Sequence, residues 1–228
     1  MSEWKESSFL THSLLLFLLV NFRWVHAGMA LSLSDSACDP NLVSQAHEQL
    51  ATLYPNPQSQ PLLGCLDEPV LGQGHIIGTA NFAPGLPSII LLNHQGQQLD
   101  VMAHEWAHAE FVHRVGIIHR ELNVPTWLDE GLAMQVDLRT GYNLDAMVEL
   151  LSNPDLLQPD VNKLSSLASF SKPGAQGRLH YAFSRCVVGQ LIAAGAFSVT
   201  NLTTLPTPLE IENAQTVCLA AARVDDAS

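Results

Sequence analysis

The pentapeptide His104-Glu105-Trp106-Ala107-His108 constrains this chain more than any other stretch. Two histidines four residues apart project from one face of an α-helix, one turn apart, which is the spacing that two nitrogen ligands of a single Zn²⁺ require. Glu105 projects about 100° further round the helix, where its carboxylate could take a proton from a water bound to such a metal. A pattern this short also arises by chance, so the rest of the chain must supply a third ligand.

The extended pattern H-E-x-x-H-x-x-G-x-x-H, which would supply a third histidine, is excluded. Phe111 stands at its glycine position and cannot make the turn that glycine allows. Arg114 stands at the position of the third histidine, and His113 is one residue out of register.

Glu130 is the better candidate for the third ligand, because it lies in a second predicted helix over residues 127–136. Gly131 and Ala133 are small, and we expect them to let this helix pack closely on the first. Asp129 is the alternative ligand, although a carboxylate near a helix start more often serves as a cap.

Together, the two segments resemble the gluzincins, a group of zinc metallopeptidases that includes thermolysin and the aminopeptidases. In that group an H-E-x-x-H helix is followed, after a loop, by a helix with an E-G-[LF]-A-like segment, and here that segment reads Trp127-Leu128-Asp129-Glu130-Gly131-Leu132-Ala133. The resemblance extends over about residues 78–194. It implies that His104, His108 and Glu130 hold one Zn²⁺ per chain and that Glu105 is the general base.

The resemblance implies hydrolysis of peptide bonds by a zinc-bound water that Glu105 activates, in an exported endopeptidase or processing protease. The expected partner is a peptide or protein substrate. One alternative is an exported zinc-binding or interaction protein whose metallopeptidase fold is catalytically silent. Another is a disulfide-linked structural domain in which the pentapeptide is accidental.

Two further roles follow from the same resemblance. Tyr181 lies where related aminopeptidases carry the tyrosine that stabilises the oxyanion, and the neighbouring His180 is its alternative. Thermolysin-like enzymes orient a histidine with an aspartate one turn after the ligand glutamate, but Met134 occupies that position here. Asp137, two turns on, shares the same helix face at a greater distance.

The expected fold is α+β and zincin-like. A small antiparallel sheet, with its edge strand on the metal helix and the glutamate helix, precedes a mainly helical C-terminal part over residues 142–228. The edge strand Gly78-Thr79-Ala80-Asn81 resembles the strand along which gluzincins hold extended peptides, the alternative being an ordinary edge strand. The predicted strands cover residues 75–82 and 88–92; the predicted helices cover 39–54, 97–115, 127–136, 143–151 and 181–194, with a last one around Cys218.

The N-terminal residues 1–27 carry an apolar run of signal-peptide length, which predicts export to the periplasm or the exterior, or retention by an N-terminal anchor. A single domain follows over residues 38–228. Four cysteines suggest two disulfides, of which Cys38–Cys65 and Cys186–Cys218 are the simplest of three connectivities. The net charge of −12 argues against a nucleic-acid partner and against docking on anionic lipid, so no membrane contact is expected beyond the N-terminus.

Overall fold

The computed structural model of the protein describes residues 38–66, 78–81 and 87–224. The predicted signal peptide or anchor, residues 1–27, lies outside the described residues, as do the first three residues and the last residue of the strand predicted over 75–82. The described helices are α1 Pro40–Ala51, α2 Leu99–Val115, α3 Ile117–Asn123, α4 Thr126–Val136, α5 Leu144–Leu151, α6 Leu167–Phe170, α7 Gly174–Ala193 and α8 Pro208–Val224. Two short 3₁₀ turns cover Thr140–Tyr142 and Val161–Lys163.

The described strands, β1 Leu62–Cys65, β2 Gly78–Asn81 and β3 Ile89–Leu92, form one sheet in the order β1-β3-β2. The antiparallel pairing of β2 with β3 confirms the predicted strand pair. The prediction of a wholly antiparallel sheet was wrong, because β1 joins the other side of β3 in parallel. Parallel pairing needs a long connection that returns the chain to the same end of the sheet, and no local pattern around β1 signals its direction.

Helix α2 runs through the middle of the domain and packs against α1, α4 and the sheet. Its end at Val115 is set by Gly116, whose φ of 80° is a backbone conformation that favours glycine. Buried side chains occupy all but one position from Val101 to Phe111. The pentapeptide is therefore held on a rigid, buried helix.

Helix α4 lies between α2 and α7 and packs on both. The expectation that Gly131 brings α4 close to the metal helix was wrong. A Cβ at Gly131 would lie 2.6 Å from the carbonyl oxygen of Ser184 and 2.6 Å from a methyl group of Val188, both on α7. Consecutive helical residues point about 100° apart, so Gly131 faces a different neighbour from Glu130.

The C-terminal part is mainly helical, with two departures from the expected boundaries. Helix α7 begins at Gly174, seven residues before the predicted start, and the preceding stretch holds two short helical turns. Its prolines and serines favour a loop, but Phe170 is fully buried and anchors α6 in the core. Tertiary packing thus overrides local propensity here.

Both disulfides form as predicted, Cys38–Cys65 and Cys186–Cys218. The first ties the start of α1 to the end of β1, and the second ties α7 to α8. Two disulfides indicate an oxidising, extracellular type of environment. Among the described residues, no helix combines the length and the apolar character needed to span a membrane.

Candidate metal centre

Three side chains from two helices converge at one point between α2 and α4. The Nε2 atoms of His104 and His108 are 3.2 Å apart, and Glu130 Oε2 lies 3.4 Å from the first and 3.5 Å from the second. The two histidines meet because they are one helical turn apart, and α4 brings the carboxylate across. The structure thus brings together the three residues predicted as ligands, and the group could hold a metal ion.

The spacing of these atoms suits a small tetrahedral cation. Ligand atoms about 2.0–2.1 Å from a tetrahedral metal lie about 3.3 Å from one another, close to the three observed separations. Glu130 Oε2 is buried and has no hydrogen-bond partner among the described residues. Three atoms whose electron pairs face one shared space repel one another unless a cation, either a metal ion or a proton on an imidazole, lies between them.

Asp129, the alternative ligand, serves instead to orient a ligand. Its Oδ1 lies 3.0 Å from His108 Nδ1, on the far side of the imidazole from the metal position. Arg120 donates to the other oxygen, Oδ2, from Nε at 2.9 Å and from Nη2 at 2.5 Å. A hydrogen on Nδ1, as this contact requires, leaves the Nε2 electron pair of His108 free for a metal.

Asp137 lies beside His104 as Asp129 lies beside His108. Its Oδ2 lies 3.5 Å from His104 Nδ1, a charge contact that does not meet the geometry of a hydrogen bond. The guanidinium of Arg139 binds this carboxylate through hydrogen bonds from Nε to Oδ1, at 2.9 Å, and from Nη2 to Oδ2. Asp137, two turns after Glu130, is therefore close enough to orient His104. Met134 holds the position one turn after Glu130, where thermolysin-like enzymes carry the orienting aspartate.

The electrostatics of the cluster favour a cation. Burial alone would lower the pKa of His104, but the carboxylates of Asp137 and Glu130 outweigh it and raise that pKa to about 9. Burial alone would raise the pKa of Glu130, but His108 and His104 hold it well below its usual range. The surroundings that stabilise positive imidazoles would equally stabilise a positive metal ion between them.

Glu105 lies beside the ligands and remains partly exposed, unlike its neighbours on α2. Burial is the main cause that raises its pKa; the two histidines lower it, and Glu130 and Asp129 raise it again. A carboxyl group whose pKa is raised holds a proton more readily than a free one, which suits a group that accepts a proton and then returns it.

Tyr181 borders the site, whereas His180 does not. The ring of Tyr181 lies 6.4 Å from that of His104, centroid to centroid, and is flanked by Phe170 at 4.9 Å and Tyr142 at 5.9 Å. His180 is turned into the core, where its Nδ1 lies 2.7 Å from the carbonyl oxygen of Phe170. The phenol thus accompanies the metal ligands, and the neighbouring imidazole serves packing.

The predicted substrate strand packs against the helix that carries the two histidines. β2 is an edge of the described sheet, since it pairs there with β3 alone, and its backbone runs beside α2. An edge strand presents unpaired N–H and C=O groups to which an extended peptide can add.

Sequence reasoning missed three residues that surround the ligands: Arg120, Arg139 and Tyr142. Arg120 lies nine residues from the aspartate it binds, and Tyr142 lies 39 residues from Tyr181. No periodic pattern links residues at such separations. Arg139 lies two residues after Asp137, just beyond the end of α4, where helical spacing no longer predicts contacts.

Comparison of the chain with protein-family models, curated proteins and solved structures finds no match.

Proposed function

We propose that this chain is an exported zinc-dependent metallopeptidase of the gluzincin type, with a zincin-like fold, that hydrolyses peptide bonds in a peptide or protein substrate. The observation that carries the proposal is the triangle of His104 Nε2, His108 Nε2 and Glu130 Oε2, with sides of 3.2–3.5 Å. A partly exposed glutamate and a phenol border it. Zinc binding alone requires neither of these two groups.

Zn²⁺ held by the three ligands would polarise the scissile carbonyl and lower the pKa of water. Glu105 is the general base that takes a proton from the attacking water. The same carboxyl group then passes that proton to the leaving amine. Its raised pKa suits both steps.

Tyr181 is the donor that would stabilise the negative charge developing on the carbonyl oxygen. Burial is the main cause that raises the pKa of its phenol well above the usual value, and Glu130 and Glu105 raise it further. The hydroxyl group therefore keeps its proton at neutral pH and can donate a hydrogen bond. Substrate would lie along β2, paired through its backbone.

The test combines metal analysis with the variant Glu105→Gln. Purified native protein should contain one zinc per chain and cleave peptides in a chelator-sensitive reaction. Glu105→Gln keeps the size of the side chain and removes the base, so it should retain zinc and lose at least about 100-fold in kcat. Glu149→Gln changes an exposed glutamate in the same way and is the matched control.

Cleavage should be followed on a complex peptide mixture, because the specificity is unassigned. Equal turnover by Glu105→Gln and native protein would overturn the proposed mechanism. Stoichiometric zinc without chelator-sensitive cleavage would instead identify a catalytically silent zinc-binding protein. If the purified protein binds no zinc, the match of residues 104–108 to a zinc-binding pattern is a chance occurrence.

A further inference from the structure

We propose that Arg139 is a positioning residue that couples the metal ligand His104 to the phenol of Tyr181. The part of this inference that concerns catalysis rests on the proposed function. The part that concerns geometry rests on a closed loop of contacts that begins and ends at His104.

The first half of the loop runs through Asp137. This carboxylate is fully buried, and an uncompensated charge there would be strongly unfavourable. Arg139 compensates it with hydrogen bonds from Nε, at 2.9 Å to Oδ1, from Nη2 to Oδ2, and from its backbone N–H, at 3.1 Å to Oδ1. The arginine thereby fixes the oxygen that faces His104 Nδ1 at 3.5 Å.

The second half of the loop runs through Tyr142. The guanidinium carbon of Arg139 lies 4.8 Å from the centroid of the Tyr142 ring. The Tyr142 ring in turn packs edge-on against Tyr181, with the centroids 5.9 Å apart. Tyr181 lies 6.4 Å from the His104 ring, which closes the loop.

A guanidinium can contact the carboxylate of Asp137 and the ring of Tyr142 at the same time, whereas an ammonium cannot. Its planar fork binds a carboxylate through two hydrogen bonds while its face stacks on an aromatic ring. A shift of Arg139 therefore moves the orienting carboxylate of His104 and the ring that supports Tyr181 together. The two groups on which the proposed reaction depends share one support.

The central experiment uses Arg139→Lys, which keeps the positive charge and loses the fork. Zinc affinity, measured by competition with a chromophoric chelator, should fall about 10- to 100-fold. At saturating zinc, kcat should still be reduced and KM should change little. The fluorine signal of Tyr181 in 3-fluorotyrosine-labelled, zinc-loaded protein should also move, and with only three tyrosines in the chain it can be assigned from Tyr181→Phe.

Tyr142→Leu separates the two halves of the loop. Because no hydrogen bond or ion pair joins Tyr142 to Asp137 among the described residues, this variant should keep native zinc affinity within about twofold and lose kcat. In its background, Arg139→Lys should no longer move the Tyr181 signal, since the ring that transmits the change is gone. This double-mutant cycle measures the coupling directly.

Two arginine controls accompany these variants. Arg120→Lys alters the guanidinium that supports Asp129 and should lower zinc affinity while leaving the Tyr181 signal in place. Arg178→Lys alters an exposed guanidinium on α7 that takes no part in the loop. It should change neither zinc affinity nor the signal.

An unmoved Tyr181 signal in Arg139→Lys would overturn the coupling, even if zinc affinity fell. An equal movement of the signal with and without Tyr142 would overturn the route through that ring. If Arg139→Lys does not fold, unchanged kcat in Tyr142→Leu overturns the proposal. If the native protein cleaves no peptide, the proposed function fails, and the zinc and fluorine measurements still decide the coupling.

Discussion

Asp129 Oδ1 lies 3.0 Å from His108 Nδ1, although Asp129 is the chain neighbour of the candidate ligand Glu130. The two carboxylates point about 100° apart around α4, so they reach opposite sides of the same imidazole. Glu130 meets the nitrogen that faces the metal position, and Asp129 meets the other. One turn of helix thus supplies a ligand and orients a second one.

The variant Asp129→Asn should bind zinc about 10-fold or more weakly, because the amide keeps the size of the carboxylate and loses its charge. It also removes the charge to which Arg120 Nε and Nη2 donate. Zinc competition titration checks the prediction, with the exposed Asp155→Asn as the control. Affinities that agree within error for the two variants would contradict it.

The variant Gly131→Ala should be destabilised by about 1–3 kcal/mol, although alanine favours helices. Its Cβ would lie 2.6 Å from the carbonyl oxygen of Ser184, so the backbone of α4 or α7 must shift. Urea unfolding measures the loss. Gly141→Ala, where the added Cβ meets nothing within 4 Å, should be nearly neutral, and equal losses at both sites would refute the packing argument.

The variant Glu110→Gln should lose about 2 kcal/mol of unfolding free energy at neutral pH. The buried carboxylate accepts hydrogen bonds from the backbone N–H groups of Ser59 at 2.7 Å and Gln58 at 2.9 Å, and from Arg114 Nε at 2.7 Å. Neutral glutamine cannot satisfy these donors as well. Urea unfolding at pH 7 measures the loss.

The native protein and Glu110→Gln also test how the stability that Glu110 contributes depends on pH. Burial would raise the pKa of Glu110, but its hydrogen bonds with Ser59, Arg114 and Gln58 lower it below the usual value. The native protein gains stability from this charge above the unfolded-state pKa and loses it as the pH falls through the folded-state pKa. The difference between native protein and Glu110→Gln should therefore narrow below about pH 4. A constant difference from pH 7 to pH 3 would contradict this.

Replacing both Cys186 and Cys218 by serine should lower the unfolding free energy by about 3 kcal/mol, because the bridge closes a loop across a sequence separation of 32 residues. The Cys38–Cys65 bridge spans 27 residues, so its removal should cost a similar amount. Thermal or urea unfolding of the two double variants checks both values. A loss below about 1 kcal/mol in either would contradict the loop-closure estimate.

Most of the longer helices were predictable because they depend on local spacing, whereas the disulfide pairing was one of three connectivities that the sequence left open. Asp39 accepts from the Asn41 N–H at 2.9 Å and caps α1, and Gly116 ends α2, both at places where the sequence predicts a boundary. The early start of α7 was not predictable, because its first turns rely on burial among residues distant in the chain.

The sequence by itself determined the ligand triad as a candidate set, because the helical repeat places His104 and His108 on one face and the segment around Glu130 marks a second helix. Only the tertiary structure decided what surrounds that set. Asp129 contacts the His108 nitrogen that faces away from the candidate metal position, and Gly131 faces α7 rather than α2. Both outcomes depend on which way a helix is rotated against two neighbours, and that rotation minimises the free energy of the whole core rather than of any local segment.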